Sequence, residues 1–207
     1  MKVRIPGRRF EAWRFTHRLL LIAGILGLGC AAYSYAARFV YQAYENREFD
    51  RALSAKNFVP PSPHGLARPS AESPRALIGR IAIPRLSISA MVKEGVDDGT
   101  LGLAVGHIPS TALPGEIGNI GLAAHRDNLF RNLKGIALHD EITMTTLDAV
   151  YTYRVTTFSI VGPGAVSVLA PSAGEKTLTL VTCYPFYFVG RAPKRFVVHA
   201  VQTARAQ

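Results

Sequence analysis

Thr177 to Ala200 reads Thr-Leu-Thr-Leu-Val-Thr-Cys-Tyr-Pro-Phe-Tyr-Phe-Val-Gly-Arg-Ala-Pro-Lys-Arg-Phe-Val-Val-His-Ala. Its first six residues alternate threonine with leucine or valine, the period-2 pattern of a strand with one polar and one apolar face. That strand delivers Cys183 to its own end. Pro185, Gly190 and Pro193 then forbid a continuous strand and call for a loop of about ten residues. An extended pattern resumes at Lys194-Arg195-Phe196-Val197-Val198. A thiol therefore sits where one strand stops and a guanidinium where the next begins, close enough in sequence for a hairpin-like return to unite them.

A thiol is a weak nucleophile at neutral pH, because the thiolate is the reactive form and an unperturbed cysteine has a pKa of about 8.5. The candidate helper is His125, which closes a second small-residue strand in Gly118-Asn119-Ile120-Gly121-Leu122-Ala123-Ala124-His125-Arg126-Asp127. Histidine carries protons to a leaving amine, and arginine holds an oxyanion without losing its charge. Together the three residue types point to acyl transfer.

Thr179-Leu180-Val181-Thr182-Cys183 resembles the Thr-Leu-x-Thr-Cys signature of sortases, the membrane-anchored cysteine transpeptidases of bacterial envelopes. His125 stands 58 residues before Cys183 and Arg195 stands 12 after it, in that family's order. The resemblance covers roughly Leu77 to Ala200 and includes Gly118-Asn119 and His125-Arg126. It implies an eight-stranded sortase β-barrel with Cys183, His125 and Arg195 as the catalytic set. Thr182, Tyr184 and Arg191 are its candidate substrate-binding residues. The implied partners are exported proteins carrying a carboxyl-terminal sorting signal of Leu-Pro-x-Thr-Gly type, and an amine acceptor from peptidoglycan or protein. No organic cofactor is implied. The Tyr184-Pro185-Phe186-Tyr187 loop resembles the class D-like members. Regulation by Ca²⁺ occurs in some sortases, but Glu94, Asp97, Asp98 and Glu116 do not by themselves form a cage.

Two other readings stand beside this one. An L,D-transpeptidase also uses cysteine and histidine on a β-rich fold, but its cysteine follows a Ser-x-Gly-type turn, whereas Val181-Thr182 precede it here. A non-catalytic envelope module would use the barrel to present a groove, with Cys183 as a small buried hydrophobe.

The charge supports an anchored envelope protein over a nucleic-acid binder. The net charge is +10. Residues 1–18 hold Lys2, Arg4, Arg8, Arg9, Arg14 and Arg18 against Glu11, and residues 38–207 hold 18 basic and 13 acidic side chains. Half of the excess is thus a topology signal ahead of Leu19–Ala37, nineteen residues without a charge. At about 1.5 Å per residue that segment matches a hydrocarbon core, and the basic flank sets the amino terminus on the cytoplasmic side. Ser34-Tyr35-Ala36 offers a signal-peptidase-like site, but the apolar run exceeds the usual 7–15 residues of a cleaved leader. Cys30 falls inside this segment, so it cannot bridge Cys183.

The expected organisation is a basic tail (1–18), a transmembrane anchor (19–37), a stalk and proline-rich linker (38–75) and a catalytic domain (76–207). Within the domain, strands are expected over 78–83, 86–92, 117–124, 141–146, 150–160, 166–169, 177–182 and 195–201. A short helix over 97–103 with an aspartate N-cap and a turn or short helix over 128–134 complete the expectation. Of the remaining histidines, His107 is expected to hold a loop through its ring nitrogens and His199 to be a partly exposed strand residue. His17 belongs to the basic tail, His64 to the linker and His139 to a solvated turn.

Overall fold

The computed structural model describes residues 8–56 and 76–206. Among the described residues there are one long helix and eight strands, with one short helix and three short 3-10 segments between them. Helix α1 is Arg8–Lys56. It contains a stretch long and apolar enough to cross a membrane, judged by length and composition. The chain divides into two compact units, Met1–Tyr41 and Gln42–Gln207. In the second unit, the last turns of α1 lie on the barrel. Gln42 Nε2 donates to Leu103 O at 2.7 Å and Gln42 Oε1 accepts from Met91 N at 3.0 Å. Phe49 is buried beneath the Arg80 guanidinium, and Arg80 also pairs with Asp50 at 2.9 Å. The proline-rich spacer expected over 59–74 lies outside the described residues.

The strands are β1 Leu77–Ile83, β2 Ile88–Glu94, β3 Val105–His107, β4 Gly118–Ala123, β5 Glu141–Thr145, β6 Val150–Val161, β7 Lys176–Tyr184 and β8 Lys194–Ala206. They close in the order β1-β2-β3-β4-β7-β8-β6-β5. Closure leaves no free sheet edge and turns alternate side chains inward. Ile81, Ile83, Ile120, Leu122, Ile142, Met144, Tyr153, Leu178, Leu180 and Val198 fill that interior. The all-β barrel with short helices is thus as the sequence implied.

The number of strands agrees for a partly wrong reason. Val166–Leu169, expected as a strand from its Val-Ser-Val-Leu alternation, is a 3-10 turn with no sheet partner. The eighth strand is β3, whose three residues are too few to show any period. Strand β2 starts at Ile88, not Leu86, because Pro84 sets a 3-10 turn through Leu86 and Ser87 ends it at φ 52. Helix α2, Asp98–Leu103, has Asp97 as its N-cap, accepting from Thr100 N. The turn expected over 128–134 resolves into the 3-10 segment Arg131–Gly135.

Candidate active site

Strand β7 lies between β4, which runs parallel to it, and β8, which runs antiparallel. Cys183 is the direct cross-strand partner of Arg195. Directly opposed residues project to the same face of a sheet at Cβ separations of about 4.5–5.5 Å. Leu178, Leu180 and Thr182 of β7 and Phe196, Val198 and Ala200 of β8 face the core. Cys183 and Arg195 therefore share the outer face, and both are partly exposed. The parallel ladder of β4 on β7 ends at Ala123 opposite Val181. Two bonds extend it: Ala124 N donates to Val181 O at 3.3 Å and Thr182 Oγ1 to Ala124 O at 2.7 Å. His125 is the next residue after Ala124, just past the end of this ladder. Cys183 and Arg195 thus share one rim of the barrel, and His125 follows the end of the adjoining β4 ladder.

The ends stop where they do for local reasons. Asn128 N and Phe130 N both turn back to His125 O, which closes the chain after β4. Beyond Tyr184 a cis Tyr184–Pro185 bond and Gly190 at φ +96 redirect the chain into the loop. Among the described residues, neither the Cys183 sulfur nor the His125 ring is spent on a side-chain hydrogen bond. Arg195 uses Nη1 on Ala192 O (3.2 Å) and Lys194 O (3.0 Å). Its Nε and Nη2 donors remain for a ligand, which suits an oxyanion.

The other candidate residues separate. Thr182 is 2% exposed and its hydroxyl ties β7 to the backbone before His125. Its hydroxyl is a structural tie beneath the rim. Tyr184 lies in an aromatic cluster with Phe186 and Phe196, ring centroids 6.1 and 6.5 Å away, on the core side of the sheet. Only Arg191 of these three is exposed, in the loop.

Several residues around the site were not assigned a role in advance. Arg126 Nη2 donates to Phe188 O at 2.6 Å and Gly190 O at 3.0 Å, fastening the β7–β8 loop to the turn after His125. Lys134 reaches the Tyr187 hydroxyl at 2.5 Å, and that ammonium bond holds the phenol pKa below its ordinary value. Asn119 donates to Val168 O and Ala170 O and accepts from Thr179 Oγ1 at 2.8 Å, so it pins the 3-10 turn Val166–Leu169 over β7. Thr179 in turn accepts from His199 Nδ1 at 2.9 Å, and burial pushes that imidazole below its usual pKa. A cavity of about 260 Å³ opens there, lined by Asn119, Ser167, Thr177 and His199 among others. It is separate from the Cys183 rim, two outward-facing residue pairs along the strands. The Gly118-Asn119 signal was visible in the sequence; what it contacts was not.

His107 holds a loop, as expected. Nδ1 meets Glu94 at 2.7 Å and Nε2 meets Ala112 O and Thr111 Oγ1 at 3.0 Å. Three of the four acids considered for Ca²⁺ have other partners: Glu94 takes His107, Asp97 caps α2 and Glu116 accepts from Leu113 N. Among the described residues, no group of three or more His, Cys, Asp or Glu side chains is placed to hold a metal ion.

Comparison with known proteins gives the architecture a family. The chain is 32% identical over 121 residues to sortase D of Bacillus subtilis, covering 58% of this chain and 61% of that protein. It is 31% identical over 132 residues to sortase A of Streptococcus agalactiae, covering 60% and 52%. The chain therefore spans between about half and three-fifths of the length of these curated relatives. A solved structure of a Clostridium perfringens sortase D5 transpeptidase superposes with TM-score 0.60 at 25% identity, covering 82% of this chain and 99% of that one. The Sortase domain family model matches residues 81–203, more than half of the sequence and the barrel from within β1 to near the end of β8; this chain belongs to the sortase family.

Proposed function

We propose that the protein is a membrane-anchored cysteine transpeptidase that cleaves a sorting signal of Leu-Pro-x-Thr-Gly type between threonine and glycine. Cys183 as thiolate adds to the threonine carbonyl, forming an S–C bond and an oxyanion. Arg195 Nε and Nη2 receive that oxyanion, and collapse of the tetrahedral centre breaks the C–N bond to glycine. His125 gives its proton to the departing amine. An amine of the cell envelope, from peptidoglycan or protein, then attacks the thioester and releases the thiol. The anchor crosses with its amino terminus in the cytoplasm, which puts the barrel outside. Arg191, exposed beside the site, meets acidic or carbonyl groups of the bound peptide.

The observation that carries this reading is the direct pairing of Cys183 with Arg195, beside the end of the β4 strand that leads to His125. A buried structural cysteine would not need a partly exposed rim position opposite an arginine that keeps donors to spare. The test uses the full chain in detergent, sorting-signal peptides of varied sequence and an amine acceptor, read by intact mass. A thioacyl adduct confined to Cys183 and its discharge by the amine are expected. No adduct across a broad peptide library sinks the proposal, and leaves the non-catalytic envelope module in its place.

A further inference from the structure

The loops flanking the site concentrate the positive charge of everything after the apolar segment. Residues 126–134 and 184–195 hold Arg126, Arg131, Lys134, Arg191, Lys194 and Arg195 against the one acid Asp127. The rest of the chain from residue 38 holds twelve basic and twelve acidic side chains, so it is balanced. Amid these cations the chain sets three consecutive apolar side chains in water. Tyr187 is 78% exposed, Phe188 44% and Val189 94%.

This tip is held firmly. Arg126 donates to Phe188 O and Gly190 O, Phe188 N to Pro185 O at 3.3 Å, and Arg195 to Ala192 O and Lys194 O. Lys134 grips the Tyr187 hydroxyl and lies 4.9 Å from its ring centroid. Burying apolar side chains is costly when the backbone beneath them carries unpaired carbonyls. Here the carbonyls of Phe188 and Gly190 are already paired, which lowers that penalty for the tip. An aromatic and aliphatic head inside a basic collar matches one partner class closely. Tyrosine and apolar groups settle at the boundary of headgroup and acyl chain, and lysine and arginine meet lipid phosphates. An acidic protein would answer the cations alone and give Phe188 and Val189 no cover. The chain also carries its own membrane-crossing stretch in α1, which keeps a bilayer within reach.

We propose that Tyr187–Val189 and the surrounding cations form an interfacial docking surface for an anionic lipid bilayer, seating the Cys183 rim of the barrel at the membrane surface. That the seated rim is a working active site rests on the transpeptidase reading; the docking itself does not.

The test uses the full chain in vesicles of phosphatidylcholine, with or without phosphatidylglycerol. Trp13 is the single tryptophan, so Trp13→Phe with Val189→Trp reports the tip alone. In anionic vesicles the emission should shift to the blue and be quenched by lipids brominated near the headgroup. In phosphatidylcholine alone both signals should weaken. Each cation near an anionic surface contributes about fivefold to partitioning, so Arg131→Gln with Lys194→Gln should weaken docking roughly 25-fold. Phe188→Ser should reduce quenching in every lipid. Emission typical of water and no quenching in anionic vesicles overturns the proposal. So does an emission shift that appears only on adding an acidic peptide, which would assign the surface to a protein partner. Adduct formation at Cys183 in detergent is scored separately: an adduct without quenching sinks docking alone, and quenching without an adduct sinks the enzyme reading alone.

Discussion

At the scale of single residues, two arginines four positions apart have different standing. Arg195 is fixed by its cross-strand register with Cys183, whereas Arg191 rides exposed in the loop. Removing an oxyanion donor costs about 10²–10³ in turnover. Arg195→Ala should fall by that much in single-turnover acylation, while Arg191→Ala should chiefly raise KM. The reverse order would show that the wrong guanidinium has been placed at the oxyanion. Tyr153 makes a contrasting case inside the barrel. It is fully buried, its ionisation is pushed up by desolvation, and among the described residues its hydroxyl finds no partner. An orphaned buried hydroxyl is a liability of about 1–3 kcal/mol. Tyr153→Phe should therefore unfold at an equal or higher denaturant midpoint, and a clear loss would reveal a partner for that oxygen.

At the scale of elements, the loops are stapled by ionisable side chains, so the fold should answer to pH. Asp140 is bound by the Arg85 guanidinium, which holds its carboxyl pKa below the ordinary value of 3.8. Its stabilising effect is complete above that ordinary value and is lost as pH falls through the folded one. Arg85→Ala should lower stability at pH 7 and flatten the acid limb of the stability curve. His199 acts higher on the scale. Burial lowers its folded pKa from 6.5, so stability is full above 6.5 and declines as pH drops from there through the folded value. Replacing it as His199→Gln should remove that slope in chemical denaturation between pH 7 and 5. The strands themselves were readable where side chains alternate over six or more residues, as in Thr177–Thr182. They were misread where the period was short or ambiguous. Val166–Leu169 alternates like a strand yet has no neighbour to pair with, and Val105–His107 becomes a strand only because β2 and β4 lie on either side of it. The same division runs through the site. Cys183, His125 and Arg195 announce themselves as chemistry at strand ends, but the inward turn of Thr182 and Tyr184 follows from pleat parity, and the grip of Arg126 on the loop joins residues 62 and 64 positions apart.

At the scale of the whole molecule, the barrel unit begins before its first strand. The turns of α1 after Gln42 cover β1 and β2 through Gln42, Phe49 and Asp50. Truncating a buried phenylalanine removes about 3 kcal/mol or more when the site does not collapse. Phe49→Ala should lower the thermal midpoint of the barrel, and an unchanged midpoint would show that this helical segment merely rests on it. The position of β7 has a consequence for biogenesis. Its left-hand neighbour is made some sixty residues earlier and its right-hand neighbour is made after it. A chain made from its amino terminus thus completes Cys183 before Arg195, its cross-strand partner, has been added. On the transpeptidase reading proposed above, the oxyanion donor is therefore the last part of the site to be installed, and a copy lacking β8 should acylate poorly at Cys183.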